Sequence, residues 1–120
     1  METPLLPAGG SGSPRREFLH VDDLADACLF LMQEYNYKPF VNVGTGTDLS
    51  IKALAETIAD IVGFEGDLVW DTEKPDGTTR KLMDCSRLRA FGWTHKVDFE
   101  QGLKAVYNDY RKARSAAGNP

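Results

Sequence analysis

The sequence contains little of what metal centres and disulfide frameworks require. It has two cysteines and two histidines in 120 residues, and neither Cys28 nor Cys85 belongs to a Cys-x-x-Cys pair. Two cysteines are too few for a structural zinc site, and His20 and His95 have no second histidine at helical spacing. We therefore predict no metal site, and the unpaired cysteines favour the reducing cytoplasm.

Long apolar runs and an excess of basic charge are also absent from the sequence. No apolar stretch approaches the about 20 residues that a membrane span needs, and the first residues lack the basic and apolar regions of a secretory signal. The 14 Lys and Arg residues stand against 18 Asp and Glu residues, which gives a net charge of −4. This balance predicts a protein that binds neither nucleic acid nor a membrane.

The residues that are present indicate one ordinary folded unit. Hydrophobic residues make up 42% and charged residues 27% of the chain, as is typical of globular proteins. The length allows one domain but not a complete two-domain cofactor enzyme. Because the first segment is rich in proline and glycine, we predict a flexible leader over residues 1–14, native or foreign, then a folded unit over residues 15–114 and a disordered tail over residues 115–120.

The apolar pattern predicts helices that alternate with short strands. In the first helix Ala25, Cys28 and Leu29 share one face with Met32, and neighbouring apolar residues widen this face, so we expect the helix to be covered on more than one side. The predicted helices are Asp23–Tyr35, one between the caps Ser50 and Gly63, Cys85–Phe91 and one that begins at Asp98, and the predicted strands are Phe40–Val43 and Leu68–Trp70. The alternation favours a small α/β fold with three main helices and short strands.

Several residues that could carry chemistry have simpler structural interpretations. The segment Gly44-Thr-Gly46 opens like a dinucleotide-binding fingerprint but lacks its third glycine, so we interpret it as a turn. We expect His20 to be packed or hydrogen-bonded in the fold and His95 to be exposed to solvent. The adjacent Asp22 and Asp23 point in different directions at a helix start, so we interpret them as caps rather than as an acid–base pair.

The remaining candidates are basic side chains in loops. Arg15 and Arg16 precede an apolar segment, and Arg80 and Lys81 end the turn-rich stretch around Pro75-Asp-Gly77. A planar guanidinium and a compact ammonium group both suit phosphate. Two such loops that meet in space would form a diphosphate clamp, whereas separate loops would carry only solvated surface charges.

Three strings of the sequence carry a family resemblance. Gly10-Ser-Gly-Ser-Pro-Arg-Arg-Glu-Phe-Leu-His-Val-Asp-Asp-Leu-Ala25 is followed by Asn42-Val-Gly-Thr-Gly46 and then by Lys74-Pro-Asp-Gly-Thr-Thr-Arg-Lys-Leu-Met-Asp84. Together they resemble the C-terminal part of GDP-L-fucose synthase, in the extended short-chain dehydrogenase/reductases of the NAD-dependent epimerase/dehydratase family. The first string is similar across many nucleotide-sugar epimerases and dehydratases, whereas the third is much narrower.

The resemblance implies the small α/β substrate-binding lobe of an NADPH-dependent enzyme. That enzyme converts GDP-4-keto-6-deoxy-mannose to GDP-L-fucose by epimerisation and reduction, and its separate Rossmann domain binds NADP(H). By motif, Arg16 matches the arginine that contacts the diphosphate of the GDP-sugar, and Lys81 matches the lysine that closes on the same group. The cofactor loop and the Ser, Tyr and Lys of catalysis have no counterparts here, which implies no catalytic residue and no bound cofactor in this chain alone.

Two other interpretations of the sequence stay open. The chain could be a functionally silent or protein-interaction fragment that exposes a former domain face. It could also be the substrate lobe of another nucleotide-sugar epimerase or dehydratase. Binding of GDP favours the first interpretation, association through exposed apolar surface favours the second, and a preference for another nucleotide favours the third.

Overall fold

The computed structural model describes residues 3–37 and 39–118 as a small α/β unit. Its elements in chain order are β1 (Leu5–Gly9), β2 (Arg15–Arg16), α1 (Val21–Glu34), β3 (Leu49–Ser50), α2 (Ile51–Val62), β4 (Asp67–Asp71), β5 (Arg80–Lys81), α3 (Ser86–Ala90) and α4 (Phe99–Ala116). The predicted fold class is confirmed: α1, α2 and α4 are the main helices, the strands are short, and the described residues contain no Rossmann domain.

The strands form two small sheets. β1 and β4 pair in parallel, from Leu5 opposite Asp67 to Gly9 opposite Asp71. In the second sheet β2 lies in the middle, antiparallel to β3 and parallel to β5. Because the strands of this second sheet have two residues each, its effect is to place a few side chains rather than to build a core.

The first segment of the chain is not a flexible leader throughout, and that prediction is wrong for Leu5–Gly9. These residues form β1, and the amide of Asp67 donates to the carbonyl of Pro4 at 2.9 Å, just before the strand. Pro7 has no amide hydrogen, but an edge strand tolerates proline because one side of it needs no partner. A segment rich in proline and glycine therefore fits a short edge strand as well as a loop.

Two of the predicted helix starts are confirmed. The hydroxyl of Ser50 accepts a hydrogen bond at 3.0 Å from the amide three residues on and opens α2, which Gly63 ends at a φ of 73°. The carboxylate of Asp98 caps α4 in the same way at 3.2 Å. Because α4 continues through Ala116, the predicted tail over residues 115–120 is wrong at its start, and residues 119 and 120 lie outside the described part.

The start of α1 differs from the prediction. His20 is the cap, and its Nδ1 accepts a hydrogen bond at 3.0 Å from the amide of Asp22, so neither Asp22 nor Asp23 caps the helix. Asp23 is 3% exposed, and its two carboxylate oxygens accept from the amides of Lys96 and Val97, each at 3.0 Å. Asp23 therefore joins α1 to the segment before α4, a tertiary contact that local sequence does not reveal.

The apolar core is small and lies between α1 and the region of α3. Ala27, Cys85, Leu88 and Trp93 are the apolar residues of the described part that are almost fully buried. The indole of Trp93 donates to the carboxylate of Asp26 at 2.9 Å, which fixes the ring against α1. With so few buried side chains, each one carries a large share of the stability of the fold.

The face of α1 that the periodicity predicts to be covered is exposed instead. Leu29 and Met32 are 59% and 79% exposed, and the thiol of Cys28 lies on the same exposed side. Because α1 is apolar on nearly all sides, its pattern cannot indicate which side meets the small core. The exposed side is called the α1 outer face below, and it comprises Val21, Leu24, Ala25, Cys28, Leu29 and Met32.

The predicted strand Phe40–Val43 is not a strand. Phe40 is 82% exposed, and its carbonyl accepts from the guanidinium of Arg87 at 2.8 Å. Val41 and Val43 pack against the core as alternate residues of a strand would. The segment has a strand-like composition, but among the described residues no neighbouring strand pairs with it.

The described chain is more extended than a globular unit of its length. Its radius of gyration is 17.8 Å, against about 14 Å expected for a compact domain of this size. The expanded shape and the α1 outer face go together, because the helices cover only part of their apolar surface. None of the described helices is long and apolar enough to cross a membrane.

Candidate functional site

Two basic dipeptides, distant in the sequence, lie side by side in the second sheet. The parallel pairing of β2 and β5 sets Arg15 opposite Arg80 and Arg16 opposite Lys81. Because side chains alternate between the two faces of a strand, Arg15 and Arg80 share one face and Arg16 and Lys81 share the other. The structure therefore brings together the two loops that the sequence singled out.

One of these two cation pairs is bridged by an internal carboxylate. The carboxylate of Asp48 accepts from Nε of Arg15 at 3.0 Å and from Nε of Arg80 at 2.7 Å, and its side chain is 3% exposed. These two guanidinium groups, that of Arg80 foremost, hold the pKa of Asp48 below its ordinary value despite the opposing effect of burial. Arg15 and Arg80 therefore serve the fold and are engaged with an internal anion.

The other pair has no acidic partner among residues 3–37 and 39–118. The Nη1 group of Arg16 donates to the carbonyl of Thr78 at 2.6 Å and to that of Arg15 at 2.7 Å. This tether orients the half-buried guanidinium and leaves Nε and Nη2 as donors for a ligand. Lys81 is exposed on the neighbouring strand, so the pair presents an oriented fork beside a compact point charge.

The loop over residues 72–79, which leads into β5, is tied to the turn after β1. The carboxylate of Asp76 accepts from the hydroxyl of Ser11 at 2.6 Å and from its amide at 2.8 Å, and these hydrogen bonds lower the pKa of Asp76. Gly10 has a φ of 85°, and a Cβ there would lie 2.5 Å from Oδ1 of Asp76. Only glycine fits this position, because both the backbone angle and the close approach exclude a side chain.

The turn at Gly44–Gly46 does not fit the phosphates of a dinucleotide. The amide of Gly46 donates to the carboxylate of Glu17 at 2.6 Å, and a Cβ on Gly44 would lie 2.5 Å from the same carboxylate oxygen. An internal negative charge already occupies this turn and would repel a phosphate. Glu17 also accepts from the amide of Met83 at 3.3 Å, so it links this turn to the end of β5.

The remaining sequence candidates have structural surroundings. His20 is packed against Gly102 and hydrogen-bonded as a helix cap, as predicted. His95 is half-buried rather than exposed, because it lines a largely apolar pocket of about 580 Å³ between the start of α1 and helices α2 and α4. Burial raises the pKa of the Cys85 thiol and keeps it protonated. The described residues contain no cluster of three or more side chains that could hold a metal ion.

The pKa values of four carboxyl groups lead us to expect that the fold is less stable at acidic pH. Hydrogen bonds lower the pKa of Asp26, Asp48, Asp76 and Asp84. A carboxyl whose pKa is lower in the folded than in the unfolded chain stabilises the fold fully above the unfolded value of about 4, and this contribution is lost as the pH falls through the folded value. We expect the thermal unfolding midpoint, followed by circular dichroism, to be level down to about pH 5 and to fall steadily below about pH 4.

Two variants distinguish protonation of these carboxylates from a nonspecific loss of stability at low pH. Asp76→Asn removes one of the four carboxyls and should flatten part of the fall, whereas Asp109→Asn, on the exposed side of α4, should follow the parent chain. An unfolding midpoint that stays level or rises as the pH drops below about 4 would contradict the lowered pKa values of these four carboxyl groups.

The small α/β lobe presents, from one strand pair, two cations that have no acidic partner among the described residues, an arrangement that suits an anionic ligand. A sequence profile of the NAD dependent epimerase/dehydratase family matches residues 3–44, which include most of the segment predicted to be a leader. The profile match thus names a class of protein to which the first part of the chain is similar.

Within this class the similarity is to GDP-L-fucose synthases. GDP-L-fucose synthase 1 of Arabidopsis thaliana is 56% identical over 103 residues, which are 86% of this chain and 32% of the relative. The crystal structure of a GDP-L-fucose synthetase from Naegleria fowleri bound to NADP has a TM-score of 0.87 at 28% identity, over 92% of this chain and 36% of that one. A GDP-6-OMe-4-keto-L-xylo-heptose reductase from Campylobacter jejuni has a TM-score of 0.83 at 40% identity, over 91% and 34%.

The chain spans about a third of the length of the curated relatives that it matches. The resemblance stated from the sequence is confirmed: in sequence and in fold the chain is similar to the C-terminal part of GDP-L-fucose synthases. The implied use of NADP by this group of enzymes is also confirmed, since the Naegleria fowleri enzyme binds it. The roles of Arg16 and Lys81 stay predictions.

Proposed function

We propose that this chain is the GDP-sugar-binding part of a GDP-L-fucose synthase, in which Arg16 and Lys81 bind the diphosphate. The observation that carries the proposal is the register of β2 and β5, which sets these two cations side by side without an acidic partner among the described residues. A surface that keeps two adjacent like charges without neutralising them is well suited to an anion with two negative centres.

The geometry also supports different roles for Arg16 and Lys81 in binding the diphosphate. The Nη1 tether to the carbonyl of Thr78 orients Arg16 before a ligand arrives, so less side-chain entropy is lost on binding. Lys81 is exposed and has no ion-pair partner within residues 3–37 and 39–118, so its flexible side chain can adjust to either phosphate. We assign Arg16 the fixed contact with one phosphate and Lys81 the closing contact on the other.

The reaction of the longer enzyme requires residues from outside this chain. The family reaction uses a Ser, Tyr and Lys set, and here Tyr35, Tyr37, Tyr107 and Tyr110 each lack a lysine four residues later. The Gly44–Gly46 turn is closed by Glu17 and offers no cradle for a dinucleotide. We propose that the chain binds substrate without catalysing the NADPH-dependent epimerisation and reduction by itself.

The partner that we propose for this lobe is a cofactor-binding Rossmann domain. The α1 outer face and the radius of gyration of 17.8 Å support it, because both leave apolar surface for another part of a larger protein to cover. Reading the genomic sequence upstream for an in-frame dinucleotide-binding domain tests the proposal directly. We place the assembled enzyme in the cytoplasm, where the free thiols of Cys28 and Cys85 stay reduced.

Calorimetric titration of the 120-residue chain with GDP tests the proposed binding. We expect saturable binding that is weakened about tenfold by Lys81→Ala, because one charge-assisted contact is lost. Lys112→Ala is the matched control, since Lys112 is an exposed lysine on α4 away from the strand pair, and this variant should bind GDP as the parent chain does.

The same titration separates the alternatives. A preference for UDP over GDP would assign the lobe to a sister epimerase or dehydratase. Absence of binding, combined with self-association in size-exclusion chromatography, would favour the interaction fragment. Equal affinity of the Lys81→Ala variant and the parent chain would remove Lys81 from the site.

A further inference from the structure

The second sheet concentrates four cations on two paired dipeptides and supplies one internal carboxylate. Like charges directly opposite each other on neighbouring strands destabilise the pairing. The register of β2 and β5 places two such pairs in adjacent positions. Something in the fold must offset this repulsion for β2 and β5 to stay paired, and Asp48 is the group in contact with both strands.

Asp48 reaches both strands from a third segment of the chain. It lies immediately before β3, and the antiparallel pairing of β3 with β2 sets Leu49 opposite Arg16. Its two carboxylate oxygens accept from the Nε atoms of Arg15 and Arg80, and its backbone carbonyl accepts from Nη2 of Arg15 at 3.2 Å. The carboxylate therefore bridges β2 and β5 on the face opposite to Arg16 and Lys81.

The burial of the Asp48 side chain makes this bridge effective. The side chain is 3% exposed, whereas those of Arg15 and Arg80 are 46% and 58% exposed. A carboxylate shielded from water attracts its partners more strongly than an exposed one, because less solvent screens the charges. The bridge engages two of the four cations with an internal anion that offsets one positive charge, and it leaves Arg16 and Lys81 as an adjacent pair without an acidic partner among the described residues.

We infer that Asp48 is a positioning residue of the diphosphate site: by bridging Arg15 and Arg80 it keeps β2 and β5 in the register that sets Arg16 beside Lys81. The inference rests on the proposed function, since it takes Arg16 and Lys81 as the ligand-binding pair. Asp48 itself does not contact the ligand, because its carboxylate carries the wrong charge and lies on the other face. It also lowers the positive charge that Arg15 and Arg80 offer to unrelated anions, because its carboxylate engages both guanidinium groups.

Replacement of Asp48 by asparagine tests both parts of the inference in the full chain. Asp48→Asn should weaken GDP binding about tenfold, since coupled residues commonly contribute on this scale. It should at the same time lengthen retention on a heparin column, because Arg15 and Arg80 lose their internal anion. Glu56→Gln is the matched control: it removes the same charge from an exposed pair with Lys52 and should leave GDP affinity unchanged.

Two further variants keep the inference open to refutation. Asp48→Glu retains the charge and should restore the heparin retention of the parent chain together with part of the GDP affinity. Arg80→Gln removes the ion pair between Arg80 and Asp48 and should also weaken GDP binding. This variant tests the inference if Asp48→Asn fails to fold. A uniform loss of affinity for all anions in Asp48→Asn would indicate a merely structural residue and overturn the inference.

The outcomes also separate this inference from the proposed function. If Arg16→Ala weakens GDP binding and Asp48→Asn does not, the clamp stands and the role of Asp48 is wrong. If the parent chain does not bind GDP, the proposed function fails, and amide exchange still tests the register. The amide of Arg15 donates to the carbonyl of Thr79 at 2.9 Å, and its exchange should accelerate in Asp48→Asn and not in Glu56→Gln if the bridge holds the strands.

Discussion

Arg16→Ala should lower the affinity of the chain for GDP by about ten- to a hundredfold, which is the largest binding effect that we expect of any single substitution. The guanidinium is half-buried and tethered through Nη1 to the carbonyls of Thr78 and Arg15. A hydrogen bond between a charged donor and a phosphate contributes about 1.5–3 kcal/mol when partly desolvated, and this range corresponds to the expected loss. The substitution also removes the hydrogen bond from Arg16 to the carbonyl of Thr78, one of the contacts that hold the 72–79 loop against β2.

Two control substitutions distinguish charge from geometry at this position. Arg16→Lys keeps the charge but loses the planar fork, so we expect an affinity between those of the parent chain and Arg16→Ala. Arg111→Ala removes an arginine that lies over the ring of Tyr107 on α4, and it should leave GDP affinity unchanged. Calorimetry at one ionic strength measures all three, and an Arg16→Ala variant that binds GDP like the parent chain would refute the clamp.

Leu88→Ala should unfold a large fraction of the molecules, which is the largest stability effect that we expect. Leu88 is 1% exposed and lies in a core that otherwise consists of Ala27, Cys85 and Trp93. Removal of a buried leucine side chain costs about 2–5 kcal/mol through lost transfer free energy and the cavity left behind. A small domain has about 5 kcal/mol or more in total, and a core this small belongs at the lower end of that range.

Leu29→Ala is the matched control, because it makes the same substitution on the same kind of element at a position that is 59% exposed. The change should alter stability by no more than about 0.5 kcal/mol, since no cavity forms and alanine favours helix. Urea unfolding followed by circular dichroism compares the two variants. Equal destabilisation by both would mean that the α1 outer face is covered in solution, by self-association or by a partner.

Elements whose signals are local could be predicted from the sequence, and elements set by tertiary contacts could not. Ser50, Gly63 and Asp98 were predicted as helix ends because a cap depends on residues within one turn. The α1 outer face was wrongly predicted to be covered, because the sequence of a helix that is apolar on nearly all sides does not show how many of those sides its neighbours cover. The strand β1 was missed because its partner lies about 60 residues away in the sequence.

In the candidate site, too, local features could be predicted from the sequence and tertiary contacts could not. Residue type and loop position left two interpretations open for Arg15, Arg16, Arg80 and Lys81, a diphosphate clamp or solvated surface charges. The family resemblance then selected Arg16 and Lys81. Asp48 was missed because nothing near it in the sequence suggests an ion pair; Arg15 and Arg80 are 33 and 32 residues away. A signal was present in retrospect, since four cations on neighbouring strands need an internal anion.

The parallel pairing of β1 with β4 has a consequence for where this unit begins. β4 leads into the 72–79 loop, and the loop is held against the turn after β1 by Asp76 and Ser11. A chain cut at residue 15, where the composition suggests a boundary, would leave β4 without its partner and Asp76 without its donors. The 72–79 loop would lose its attachment to the turn after β1, while Arg16 and Lys81 were both retained. The structural unit therefore includes the residues before Arg15. They lie outside the proposed binding pair, but they hold the strand and the loop that precede Lys81.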